Sequence, residues 1–170
     1  MNSQIVPLGE LPSARVPLLW EFGLEYRACR GDPRLPRPSS AFPMPDGRYM
    51  VADVELRCAL LVDPRTGAST KFPSQNAVCW ARPLEDGTVL LATDVGVEVH
   101  SPDGGVRQLT TVKNPNFVGQ GREGRLLVVN CMDRKVVELD LNGNIVWTPP
   151  AKIRLKKPRS AFVDPGGSSC

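Results

Sequence analysis

Asp53, Asp94 and Asn130 each close a run of mostly aliphatic residues, "RYMVAD", "TVLLATD" and "RLLVVN". Three short oxygen-bearing side chains at corresponding places have two possible uses. Gathered round a common axis, they would offer hard oxygen ligands to Ca²⁺. Kept apart, each would accept hydrogen bonds from the backbone of the turn it begins, the reason Asp and Asn are favoured in such places. Recurrence in every unit favours the second use, since each unit needs its own turn. No cofactor is therefore expected, and Ca²⁺ held by these three is the one exception the residue types leave open.

His100 is the only histidine, in "VEVHSPDGG", alternating with Val97 and Val99 one residue before a turn. An imidazole acting as a general base needs a group to orient it, and the flanking sequence suggests none, so His100 reads as a surface residue. The chain has no G-x-S-x-G, phosphate-binding glycine loop, H-E-x-x-H or paired-carboxylate pattern, and no catalytic residue is assigned. Cys29, Cys58, Cys79, Cys131 and Cys170 are scattered without a C-x-x-C pair. Their odd number and spacing favour free thiols over disulfides or a zinc site. Arg30-Gly31-Asp32 spells an adhesion tripeptide, but Gly-Asp-Pro is also ordinary turn chemistry. Trp20, Trp80 and Trp147 read as packing residues.

Charge is more informative. Lys152, Arg154, Lys156, Lys157 and Arg159 crowd "AKIRLKKPR", and Arg27, Arg30, Arg34 and Arg37 crowd "YRACRGDPRLPR". A surface collecting these nine would attract an acidic protein or another anionic partner, fastest at low salt. Nucleic acid is disfavoured, because aromatics make up only 6% of the chain and few lie among the cations to stack on bases. The plainer alternative is a solvated rim that only aids solubility.

What elements must position these residues? The chain has 170 residues, 41% apolar and 23% charged, with 15 Gly and 17 Pro spread as punctuation between short segments. No run approaches the roughly 18 apolar residues that span a bilayer. The opening residues lack a basic region followed by an apolar stretch, so the expected location is cytoplasmic. "RPSSAFPMPDG" at 37–47 returns as "KPRSAFVDPGG" at 157–167. Between them Gly47, Gly87, Gly124 and Gly167 recur at intervals of 40, 37 and 43 residues. Each unit offers four short β-branched or aliphatic runs between Gly, Asp and Asn turns, with no sustained helical period. Four antiparallel strands in about 40 residues describe one blade of a β-propeller.

The pattern P-x-x-A-F-x-x-P-D-G-R-x-x-V-A-D, followed by V-x-x-x-D-x-x-G and N-I-V-W, resembles NHL-type blades. It is also similar to the PQQ-like and arylsulfotransferase-like propellers. The resemblance covers residues 36–167 and implies an all-β fold of four-stranded antiparallel blades, about three complete with partial terminal strands. The arylsulfotransferase-like enzymes use a histidine nucleophile, but nothing near His100 forms their motif, and no role is transferred. The expected organisation is an extension at 1–35, with the outer-strand-like "LLWEF" and a basic loop, and blades at 36–75, 76–113 and 114–150. Residues 151–170 would form a basic link and begin a further blade. Known rings use about four to eight blades, so self-association or other subunits of an assembly are expected to complete this one. The resulting expectation is a noncatalytic scaffold or protein-binding module. The alternatives are a propeller-type hydrolase, lyase or sulfotransferase-like enzyme with its site in the central channel, and an anion or nucleic-acid binder using the basic face.

Overall fold

The computed structural model describes residues 36–163, and almost all of their regular structure is β-strand. The first sheet contains β1 (Pro38–Pro43), β2 (Tyr49–Asp53), β3 (Cys58–Val62) and β4 (Ser69–Pro73). The second contains β5 (Val78–Pro83), β6 (Val89–Thr93), β7 (Val97–His100) and β8 (Val106–Leu109). The third contains β9 (Phe117–Gln120), β10 (Leu126–Asn130), β11 (Lys135–Leu139) and β12 (Ile145–Trp147). Among the described residues a single 3₁₀ turn, at Arg122–Gly124, interrupts this series. Every sheet pairs its strands in sequence order and antiparallel throughout. These are three β-propeller blades.

The second strand of each blade is buried along almost its whole length, in "YMVAD", "VLLAT" and "LLVVN". Both faces of these strands are covered, so the sequence is continuously aliphatic rather than alternating. Outer strands β4 and β8 are mostly exposed and correspondingly polar. Gly47 and Gly87 close the first turn of their blades at φ +85° and +84°, a conformation that glycine adopts without a Cβ penalty. An irregularity recurs near the start of the innermost strand in blades 1 and 2, between Pro38 and Ser40 and between Val78 and Trp80.

Blades 1 and 2 close on Met50, Ala52, Ala59, Val78, Val89 and Leu91. Blades 2 and 3 close on a larger aliphatic seam that includes Leu90, Val97, Val118, Val128 and Leu139, with Trp80 packed against it. Burying each Leu or Val side chain contributes about 1.5–3 kcal/mol, which makes these seams the main source of cohesion. Phe117, at the inner end of blade 3, meets Trp80 at 5.1 Å between ring centroids.

The innermost strands lie side by side in the same direction. Near their starts Ser39 Oγ donates to the Val78 carbonyl at 3.1 Å, and near their ends the Arg82 guanidinium sits 5.2 Å over the Phe42 ring. The assembly therefore has two distinct rims. One, the link rim, carries the starts of β1, β5 and β9, the connections from each outer strand to the next inner one, and the β2–β3, β6–β7 and β10–β11 turns. The other, the hairpin rim, carries the remaining turns.

Candidate functional site

On the link rim the three oxygen-bearing residues serve the backbone. Asp53 is fully buried and accepts from the amides of Arg37, Glu55 and Leu56 at 2.8, 2.9 and 2.8 Å. Asn130 accepts from the Asp133 amide at 2.8 Å and donates through Nδ2 to the Lys113 carbonyl and the Asp133 carboxylate. Asp94 is exposed and accepts from the Ala77 amide at 3.1 Å. The register differs from the simple alignment of sequence runs. Asp53 pairs with Pro38 and Thr93 with Val78, so Thr93, not Asp94, is the counterpart of Asp53. The second turn of blade 2 is shorter, and Thr93 closes it through its backbone and hydroxyl onto Gly96. Asp94, one place further on, takes over the bond to the incoming strand. Among the described residues no group of three or more His, Cys, Asp or Glu is placed to hold a metal ion.

Of the nine basic residues, six lie among the described residues, at opposite ends of the link rim. Arg37 is exposed just before β1, at one end of the array. Lys152, Arg154, Lys156, Lys157 and Arg159 are exposed along the segment after β12, at the other end. That segment runs from the outermost strand back across blade 3 until Phe162 meets Phe117 at 5.6 Å between centroids. Arg27, Arg30 and Arg34, the Arg30-Gly31-Asp32 tripeptide, Trp20, Cys29 and Cys170 lie outside the described residues. Arg37 and the later cluster thus share a rim without forming one compact patch.

Sequence reasoning missed Arg57, Lys113, Arg134 and Lys135, which occupy link-rim turns and connections and are also exposed. Their signal is antiparallel topology, because alternate turns of a four-stranded unit must emerge on one side. Ion pairs among the described residues lie elsewhere. Arg48–Asp46, Arg65–Asp63 and Arg125–Glu123 are hairpin-rim pairs. Arg122 and Arg125 also approach the buried Glu138, at 3.8 and 3.7 Å.

His100 is not a surface residue. It is 6% exposed, and its Nε2 lies 3.2 Å from Glu98 Oε2, with Glu98 itself 4% exposed. Ser74 Oγ donates to Glu98 Oε1 at 2.6 Å and Asn76 Nδ2 donates at 3.0 Å, so the carboxylate ties blade 2 to the connection from blade 1. Phe72 meets the imidazole edge-on at 6.3 Å. The pattern Val97-Glu98-Val99-His100 contains the clue, since residues two apart in a strand share a face. Ser74 bonds the carboxylate and not the imidazole, so this arrangement orients and buries polar groups without forming a nucleophile–base pair.

Beside the ends of β1 and β5, Phe42, Met44, Arg82, Leu84, Glu85 and Gln120 line a cavity of about 350 Å³. Arg82 is the cation there, and its planar guanidinium suits a carboxylate or phosphate. Cys58 and Cys79 are free thiols whose pKa values are raised, first by burial. Both are held away from the thiolate form that reacts. No helix among the described residues is long and apolar enough to cross a membrane.

No family model matches the chain, and no curated protein matches it. Solved structures do. Virginiamycin B lyase from Staphylococcus aureus superposes with a TM-score of 0.55 and 14% identity, over 64% of this chain and 40% of the lyase. A protein of unknown function from Bacteroides caccae gives 0.55 at 20% identity, over 68% and 46%. A putative gluconolactonase gives 0.52 at 17% identity, over 64% and 47%. These neighbours are β-propellers, and the fold class is the same here. This chain spans less than half the length of each of these structures. Identities of this size speak to fold alone, and the class hosts enzymes alongside proteins of unassigned role.

Proposed function

We propose that this chain is a noncatalytic β-propeller module that binds an acidic protein partner with its link rim. One observation carries the reading. Exposed cations of that rim make no ion pair with a described acid, whereas Arg48, Arg65, Arg122 and Arg125 on the opposite rim engage carboxylates of their own turns or of the blade interior. A charge left unneutralised by its own protein remains available to another, and complementary surfaces raise association rates most at low ionic strength. The described residues supply three blades of a class whose rings use about four to eight. A second copy or another subunit supplying the rest belongs to the same proposal. So do membership of the NHL-type blades, supported by the P-x-x-A-F-x-x-P-D-G-R pattern, and a cytoplasmic location.

A second reading, an enzyme with its site in the channel, draws on Arg82, which has no ion-pair partner among the described residues. One measurement separates the two. Fluorescein-labelled poly-L-glutamate is titrated with the protein and followed by anisotropy at rising salt. Binding should weaken with salt and fall about tenfold or more, equivalent to about 1.4 kcal/mol, on joint Lys152→Glu, Lys156→Glu and Lys157→Glu substitution. Arg82→Ala should leave it unchanged. Absence of binding at low salt, or loss through Arg82→Ala alone, would overturn the rim reading.

A further inference from the structure

Between the outer edge of blade 3 and the returning segment lies a groove of about 360 Å³. Val136 and Ile145 line it from the sheet, and Ile153 and Leu155 from the segment. Ile145 and Ile153 are each 46% exposed, so apolar surface faces solvent from both walls. Residues 152–156 alternate, with Ile153 and Leu155 in the groove and the exposed cations Lys152, Arg154 and Lys156 between them. Arg134 and Lys135 line the groove from the other wall. It is therefore apolar at its base and cationic on both sides. Among the described residues β12, a strand of three residues, pairs only with β11 and stands at the edge of its sheet. An edge of this kind accepts an additional strand.

We propose that this groove docks an extended peptide carrying apolar residues at alternate positions and acidic residues between them. Side chains of an extended segment alternate between faces, so one face fills the aliphatic base while the other presents carboxylates. Flexible Lys and Arg stems reach over the segment to meet those carboxylates. Charge complementarity selects the acidic peptide, and the aliphatic lining disfavours a nucleic-acid strand, which would use aromatic surfaces for stacking. The inference rests on the acidic-partner reading and adds a location and a sequence pattern to it.

Three labelled octapeptides test it by anisotropy on the full chain: Glu alternating with Val, Glu with Ser, and Lys with Val. The Glu/Val peptide should bind about tenfold or more tightly than Glu/Ser, and Lys/Val should not bind. Ile153→Ser should reduce Glu/Val affinity to the Glu/Ser level while leaving Glu/Ser unchanged, with the thermal melt confirming that the variant folds. Lys135→Glu should weaken both acidic peptides. Equal affinities for Glu/Val and Glu/Ser, insensitive to Ile153→Ser, would overturn the groove while the rim reading stands. No binding of either acidic peptide would overturn both. Tighter competition by oligo(dT) would reassign the groove to nucleic acid. Exclusion of the Glu/Val peptide by concentration-dependent dimerisation, seen in light scattering, would reassign it to a second copy.

Discussion

The hairpin rim and the link rim are built from the same sheets but use charge differently. On the hairpin rim, Asp46 accepts from the amide and guanidinium of Arg48, Asp86 from the Thr88 amide, and Asp140 from the amides of Asn142 and Asn144. Each carboxylate is occupied by the turn that carries it. On the link rim Asp53 turns inward and is fully buried, while the cations around it remain exposed. Turn chemistry thus pairs Arg48, Arg65 and Arg125 locally on one rim, whereas no ion pair joins the described link-rim cations to a described acid. The lesson concerns where to look for a partner: a paired charge is committed to the fold, whereas an unpaired one is available for recognition.

Breaking the link rim from inside should have the largest effect on stability. Asp53→Ala removes one acceptor from three amides, those of Arg37, Glu55 and Leu56. Hydrogen bonds to a charged group are individually strong, and the expected loss is about 3 kcal/mol in denaturant titration. Asp53→Asn should recover part of it. A near-zero change for Asp53→Ala would show that water replaces the carboxylate readily, and the internal role of Asp53 would fail. Asp94→Ala, which affects one bond at an exposed site, should cost less.

An intermediate effect should appear in acid. Asp46, Asp63, Asp86 and Asp140 all have pKa values lowered from 3.8, led by hydrogen bonds from the Arg48 side chain, the Arg65 and Thr88 backbones and the Asn144 side chain respectively. A carboxyl whose folded pKa lies below its unfolded value stabilises the protein above the unfolded value. That stabilisation is lost as pH falls through the folded pKa. Stability should therefore decline from about pH 4 downward as the hairpin-rim turns lose their acceptors. Asp140→Asn should flatten this decline in denaturant midpoints measured between about pH 2 and pH 5. An unchanged slope in that variant would remove Asp140 from the account.

Much of the architecture was legible in the residues themselves. Gly47, Gly87 and Gly124 mark turns because the repeat places the same demand on the chain three times. Continuous aliphatic runs such as "VLLAT" mark strands covered on both faces. The site was harder to read. In the sequence runs Asp94 matches Asp53, but Asp53 stands six residues past Gly47 and Asp94 seven past Gly87, so counting from the turn glycine gives Thr93, the residue that pairs with Val78. His100 read as exposed because the adjacent Ser-Pro-Asp-Gly turn is polar. Its burial depends on Phe72 and Ser74, residues more than twenty positions away. The exposed cations could be listed from sequence, but that no described acid pairs with them is a property of three dimensions.

The smallest stability effect should come from the link-rim cations, and it is the sharpest test of the contrast between rims. Lys156 and Lys157 are exposed, and no ion pair joins either to a described acid. Replacing both with Gln removes charge without removing a contact, so stability should shift by less than about 0.5 kcal/mol, as for ordinary surface substitutions. Arg48→Gln on the opposite rim breaks the 2.6 Å contact with Asp46 and should reduce stability measurably. Binding should show the reverse order, with the Lys156→Gln, Lys157→Gln double variant weakened toward acidic polypeptide and Arg48→Gln unaffected. Stability and binding must separate in this way if one rim serves the fold and the other serves recognition. If the lysine variant melts early, its charges are structural and the division between rims fails. If Arg48→Gln weakens binding as much as the lysine pair, attraction follows net charge rather than position.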